Sequence, residues 1–203
     1  MISSKAKIGI FGGTFNPPHI AHIEAARAFL NLLNLDKLLI IPDFLPPHKE
    51  YVGTVTAKDR LEMCRRAFSD IYSVEISDLE IKRGGKSYTA DTLTELTEEG
   101  RELYFLCGTD MFLTMDSWYH PETIFKLATI CCIRREDEQE KEEQILLKKK
   151  LYEERFFAKI IMIDAPVIEL SSTFVREALR NSAAKELLHP MVLDYINERG
   201  LYK

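Results

Sequence analysis

No run of apolar residues in this chain approaches the length needed to span a membrane, which excludes helical membrane insertion. Cysteine is scarce. Cys64, Cys107, Cys131 and Cys132 show no C-x-x-C spacing, and the adjacent pair Cys131-Cys132 cannot form an ordinary bridge. A disulfide scaffold is thereby excluded, and reduced, mostly buried thiols are expected. Positive charge is not in surplus: 27 Lys and Arg against 32 Asp and Glu leave a net charge of −5. That balance argues against non-specific nucleic-acid binding, although a local basic groove would survive it. Met1 to Lys7 is short and polar, and Ile8 to Phe11 is too brief for the apolar part of a secretory leader. The expected setting is therefore cytoplasmic. Internal repeats and low-complexity linkers are missing too.

What is present is an ordinary globular composition, 46% hydrophobic and 29% charged, in 203 residues. That is enough chain to bury a sizeable core, and it is read as one domain, 1–203, with a C-terminal helical subregion from about 171 to 203. The rest is organised around Lys7-Ile-Gly-Ile-Phe-Gly-Gly-Thr-Phe-Asn-Pro-Pro-His-Ile-Ala-His22. Ile8 to Phe11 reads as a buried strand that stops at Gly12-Gly13, where missing side chains let main-chain N–H groups approach a ligand. A helix is expected to open near Pro18. Ile20, Ile23, Ala26, Leu30 and Leu33 give it an apolar stripe at helical spacing. Strand, glycine turn and helix N-terminus in succession make an anion site. His19 and His22, three apart, can face the same side of it.

Further strands follow at Lys37–Ile41, Leu103–Cys107, Ala128–Ile133 and Ile160–Ile163, with extended sequence at Val74–Ile81. Helices lie between them: Ala57–Phe68, one capped by Ser87 or Thr89 and running to about Glu99, one from Ser171-Ser172-Thr173, and a closing one after His189-Pro190. Arg134 to Lys150 is almost entirely charged and reads as a solvated helix or loop. Strands alternating with helices predict a doubly wound α/β parallel sheet, with its ligand beyond the carboxyl ends of the strands.

Several phosphate motifs fail. Gly9-x-x-Gly12-Gly13 does not match the dinucleotide fingerprint, and Gly85-Lys86-Ser87 has Glu80 where a P-loop needs its first glycine. His19 and His22 lack a third metal ligand at recognisable spacing. However, Gly12-Gly13-Thr14-Phe15 ahead of Pro17-x-His19-x-x-His22 resembles the first signature of the nucleotidyltransferase superfamily. Leu170-Ser-Ser-Thr-Phe-Val-Arg176 resembles its second. Pro46-Pro47-His48-Lys49, Arg83-Gly-Gly-x-Ser87-Tyr-Thr-x-Asp91-Thr, Phe105-x-x-Gly108-x-Asp110 and Trp118 recur in order. Together these are similar to the bacterial nicotinate-nucleotide adenylyltransferases over nearly the whole chain. Two departures stand out: Asn16 where that family usually has aspartate, and Ala21 where glycine commonly separates the histidines.

The resemblance implies a Rossmann-like nucleotidyltransferase fold and a reaction joining ATP to nicotinate mononucleotide, giving deamido-NAD and pyrophosphate in NAD biosynthesis. The attacking group would be the mononucleotide's own phosphate, so no covalent intermediate is needed. Positioning and charge stabilisation should suffice, with Mg²⁺ bound through the ATP phosphates and no protein metal site. By the same resemblance His19, His22 and Arg176 are the catalytic contacts. Gly12, Gly13, Thr14, Phe15, Ser172, Thr173 and Asp110 would bind ATP, Asp110 through a ribose hydroxyl. His48 and Lys49 would meet the mononucleotide phosphate, Trp118 would stack on its ring, and the backbone around Ser87, Tyr88 and Thr89 would hold the ring carboxylate. The partners are thus two small molecules, with no nucleic acid and no membrane; self-association is left open. Alternatives are a sister enzyme acting on nicotinamide mononucleotide or pantetheine phosphate, or a nucleotide-binding sensor without catalysis.

Overall fold

The computed structural model describes residues 5–47, 55–134, 141–164, 168 and 170–203. Six strands form one parallel sheet: β1 (Ala6–Gly13), β2 (Lys37–Pro42), β3 (Val74–Ile76), β4 (Arg101–Gly108), β5 (Ala128–Arg134) and β6 (Ile160–Asp164). Their spatial order is β3-β2-β1-β4-β5-β6. The order reverses between β1 and β4, and in such sheets the crevice outside that point receives the ligand.

Both faces are covered, so strand residues are buried on both sides instead of alternating with polar ones. Leu38 and Ile40 point into one core, Leu39 and Ile41 into the other. The first core is closed by α1 (Ile20–Leu33), α2 (Ala57–Ala67), α8 (Ser172–Arg180) and α9 (Pro190–Arg199), which supply Phe29, Met63, Val175 and Val192. The second is closed by α4 (Thr89–Leu96), α5 (Thr109–Thr114), α6 (Pro121–Leu127) and α7 (Glu142–Phe156), with Leu93, Phe112, Ile124 and Tyr152. Each such side chain contributes about 1.5–3 kcal/mol on burial. Cys131 faces the first core while Cys107 and Cys132 face the second; all four cysteines are free and buried, as expected. No helix among the described residues is long and apolar enough to cross a membrane.

Several sequence expectations shift. Extended sequence ends at Ile76, and Leu79–Arg83 forms a short helix, α3. The basic turn narrows to Gly84 and Gly85, both at positive φ. Helix α4 stops at Leu96. Neither Ser87 nor Thr89 caps it: Tyr88 is the N-cap, and the Ser87 hydroxyl oxygen instead accepts the Phe44 N–H at 2.9 Å. Residues 142–150 of the charged run form the first part of α7, which continues beyond the run and is more than a solvated face. Ile145 and Tyr152 are buried, and the Tyr152 hydroxyl donates to the Phe112 carbonyl at 2.8 Å.

Candidate functional site

The opening stretch is built differently from the glycine-turn expectation. Gly12 and Gly13 are the last residues of β1, paired with Ile41 and Pro42, and neither has positive φ. The chain turns two residues later, at Phe15, whose φ is 49°. Its ring is buried, with centroids 5.4 Å from Phe11, 5.0 Å from His22 and 6.2 Å from Phe68. A Cβ on Gly13 would stand 3.2 Å from that ring. The glycine therefore makes room for Phe15, and aromatic packing holds a left-handed conformation that is costly outside glycine.

Helix α1 begins at Ile20, not Pro18, which makes His19 its N-cap and His22 its third residue. The His19 N–H donates to His22 Nδ1 at 3.2 Å, and the two rings lie 3.7 Å apart. His19 is only 3% exposed, and burial pushes its pKa down to about 4. His22 falls well below the usual imidazole value through burial and then through the neighbouring His19. Both rings are neutral near pH 7. Because His22 Nδ1 accepts a hydrogen bond, its proton sits on Nε2, which becomes a donor. The His19 Nδ1 atom is buried with no hydrogen-bond partner.

Helix α8 meets the same loop from the far end of the sequence. Ser171 is its N-cap, accepting the Phe174 N–H at 3.2 Å. The Ser172 hydroxyl donates to the Pro17 carbonyl at 3.2 Å. Arg176 donates through one nitrogen to the Asn16 carbonyl at 2.8 Å and through another to Thr173 Oγ1 at 3.0 Å. The first and second signatures, separate in sequence, are thus in contact.

A buried ion pair, absent from the sequence reading, holds the other side. Arg60, on α2, is 1% exposed. Its guanidinium donates to the Asp43 carboxylate at 2.8 Å, the Thr14 carbonyl at 2.8 Å, the Asp43 carbonyl at 2.7 Å and the Phe44 carbonyl at 3.1 Å. The Thr14 hydroxyl donates to Asp43 at 2.7 Å. One planar side chain ties the loop after β1 to the loop after β2, as guanidinium geometry allows. Its sequence signal was available: Arg60 shares a helix face with Met63, Cys64 and Ala67, all buried.

Farther along the carboxyl edge, Asp110 lies in the first turn of α5 and is exposed, paired with Lys141 at 2.8 Å. Trp118 follows a short 3-10 turn, half-buried, its ring edge-on to Phe105 at 6.4 Å. Tyr119, beside it in sequence, packs against Tyr88 with ring centroids 4.3 Å apart and planes tilted by 30°, so the Trp118 segment and the start of α4 at Thr89 are brought together. Ser87 is buried. Besides the Phe44 N–H it bonds Glu80, whose carboxyl is pushed up by burial against the pull of Thr92, Ser87 and Arg83. His48 and Lys49 lie outside the described residues. A depression of about 980 Å³ lies at the opposite end of the sheet, against the starts of β4, β5 and β6, and contains none of these residues.

Comparison with known proteins gives a consistent picture. Residues 10–178 match the cytidylyltransferase-like family model. A probable nicotinate-nucleotide adenylyltransferase of Caldicellulosiruptor saccharolyticus is 36% identical over 198 residues, 97% of this chain and 99% of the relative. One from Lactococcus lactis is 36% identical over 203 residues, covering 98% and 97%. Among solved structures, Plasmodium falciparum nicotinic acid mononucleotide adenylyltransferase complexed with NaAD superposes with a TM-score of 0.75. It is 24% identical, with 97% of each chain covered, and so speaks to the fold.

Proposed function

The chain belongs to the nicotinate-nucleotide adenylyltransferase family of cytidylyltransferase-like proteins, and from that premise we propose that it joins ATP to nicotinate mononucleotide, releasing pyrophosphate. One observation carries the reading for this chain. At the switch point of the sheet, the N-termini of α1 and α8 converge on a single loop, Phe15–Pro17, with a neutral histidine pair and a fixed guanidinium beside it. Two helix starts and an arginine form a cradle for a polyanion.

The hydrogen-bond directions sharpen which groups act. The Thr14 hydroxyl gives its proton to Asp43 and Ser172 gives its own to Pro17, so these side chains organise the loop. Phosphate contacts then fall to main-chain N–H groups along Gly13–Phe15, to His22 Nε2–H, to His19, and to Arg176. Thr173 Oγ1 accepts from Arg176, which leaves its own proton for a phosphate oxygen. In-line attack by the mononucleotide phosphate needs no general base, and neutral imidazoles suit donation to the developing charge without taking a proton first. Mg²⁺ arriving with ATP as part of the substrate would supply charge that offsets that of the departing pyrophosphate. Tyr88, Thr89 and Trp118 form the mononucleotide side, and Asp110 exchanges Lys141 for a ribose hydroxyl. The setting we assign is the cytoplasm.

The test is pyrophosphate release from MgATP with nicotinate mononucleotide or its amide counterpart. Release that requires the mononucleotide and favours the acid form is expected. Release equal with the amide overturns the role of the α4 start, and no release at saturating MgATP overturns the activity.

A further inference from the structure

The turn after α9 touches the same loop. Gly200, at φ 62°, ends the helix in the left-handed region, and its N–H returns to the Asn197 and Ile196 carbonyls. The Leu201 N–H donates back to the Ile196 carbonyl at 3.0 Å, and Tyr202 also takes positive φ, 64°. These two reversals bring the Tyr202 hydroxyl within 2.5 Å of Asn16 Oδ1. The carbonyl of Asn16 is the atom that receives Arg176 at 2.8 Å. Asn16 therefore carries Tyr202 on its side chain and Arg176 on its backbone.

Helix α9 is itself anchored where α2 starts and ends. The Tyr195 hydroxyl donates to Asp59 Oδ1 at 2.9 Å; Asp59 forms the capping box of α2 with Thr56. Arg66 stacks 4.6 Å above the Tyr195 ring and donates to the Met191 carbonyl at 3.3 Å. The α2–α9 pair thus delivers two groups to opposite ends of the Thr14–Pro17 loop, Arg60 at Thr14 and Tyr202 at Asn16. No comparable donor reaches the Asn16 side chain from α1 or α8.

We propose that Tyr202 is a positioning residue for nucleotidyl transfer, acting through Asn16 to hold Arg176 against the ATP phosphates. The phenol fixes the amide by donating to its oxygen, so the Asn16 peptide keeps the orientation that Arg176 requires. A charge held at fixed geometry accelerates the transfer step and not substrate association alone. The inference rests on the adenylyltransferase reading above.

The test compares the wild-type chain with Tyr202→Phe, which removes only the hydroxyl. Pyrophosphate release should show kcat lowered roughly two- to tenfold, the factor one neutral hydrogen bond supplies, with KM for nicotinate mononucleotide unchanged. Amide exchange in the segment 12–22 should quicken while the thermal midpoint stays within about 2 °C of wild type. In an Asn16→Ala background, Tyr202→Phe should change kcat no further. Unchanged kcat and exchange overturn the proposal. A lowered midpoint with exchange raised across the whole α8–α9 face also overturns it, since Tyr202 would then only support packing. If the wild type releases no pyrophosphate, the adenylyltransferase reading fails, and exchange in 12–22 still reports whether Tyr202 holds the loop.

Discussion

Replacing Arg60 by methionine should be among the most damaging single changes in this chain. Methionine fills the space of the arginine stem but leaves the Asp43 carboxylate with the Thr14 hydroxyl, and removes the donor from the carbonyls of Thr14, Asp43 and Phe44. Breaking a buried pair by removing one partner costs about 3–5 kcal/mol, a large part of the roughly 5–15 kcal/mol that a domain holds in total. For a chain of this size that corresponds to a fall of roughly 6–20 °C in thermal midpoint. Asp43→Asn keeps an acceptor for the guanidinium and should cost less. Arg60→Met with Asp43→Leu removes both charges together, so its loss should be smaller than the sum of the single losses by more than about 1 kcal/mol. Thermal unfolding followed by circular dichroism, with urea unfolding as a check, measures five proteins: wild type, Arg60→Met, Asp43→Asn, Asp43→Leu and the double variant. A midpoint for Arg60→Met within about 2 °C of wild type, or single losses that add within about 0.5 kcal/mol, would refute the linkage of the two loops.

His19→Ala should lower kcat by on the order of a hundredfold or more with a modest change in KM, as for a contact made in the transition state; near wild-type kcat would place the phosphate contacts elsewhere. The histidine pair also makes stability depend on pH. His19 titrates at about 4 in the folded chain against 6.5 ordinarily. The unfolded chain therefore binds the proton first, and this stabilisation is complete above pH 6.5 and lost as pH falls towards 4. It amounts to roughly 3 kcal/mol for His19. Comparing thermal midpoints at about pH 7.5 and about pH 5, His19→Gln should lose less on acidification than wild type; an equal loss contradicts the buried neutral assignment. Trp118→Ala should raise mainly the KM for the mononucleotide, and an effect confined to ATP would contradict the stacking role.

Legibility in the sequence followed interaction range. The strands were readable because residues buried on both faces leave continuous apolar runs, as in Lys37-Leu-Leu-Ile-Ile41. Short elements were less so: α3 is a single turn of Leu79–Arg83, with too few residues to display a period. In the charged run a helix is one of two readings but its burial is not legible, because a run of lysines and glutamates conceals Ile145, and Tyr152 lies beyond that run. The turn of the first signature, expected at the glycines, falls instead at Phe15. The space left by Gly13 is used by the ring of Phe15, a neighbour in sequence whose packing partners include Phe68, at the end of another helix.

The sequence by itself determined the alternation of strands and helices, the two signatures with His19, His22 and Arg176, and the absence of a cysteine scaffold. Each of these depends on the identities of residues close together along the chain. Only the tertiary structure decided that Asp43 and Arg60 pair inside the protein, that the Thr14 hydroxyl donates to Asp43 and that the Ser172 hydroxyl donates to Pro17. It also decided that Tyr202 reaches Asn16 across 186 positions. A hydrogen bond has direction and a reach of about 3 Å. Which donor meets which acceptor is therefore settled by the packing of α2, α8 and α9 against the sheet, and no local pattern encodes that.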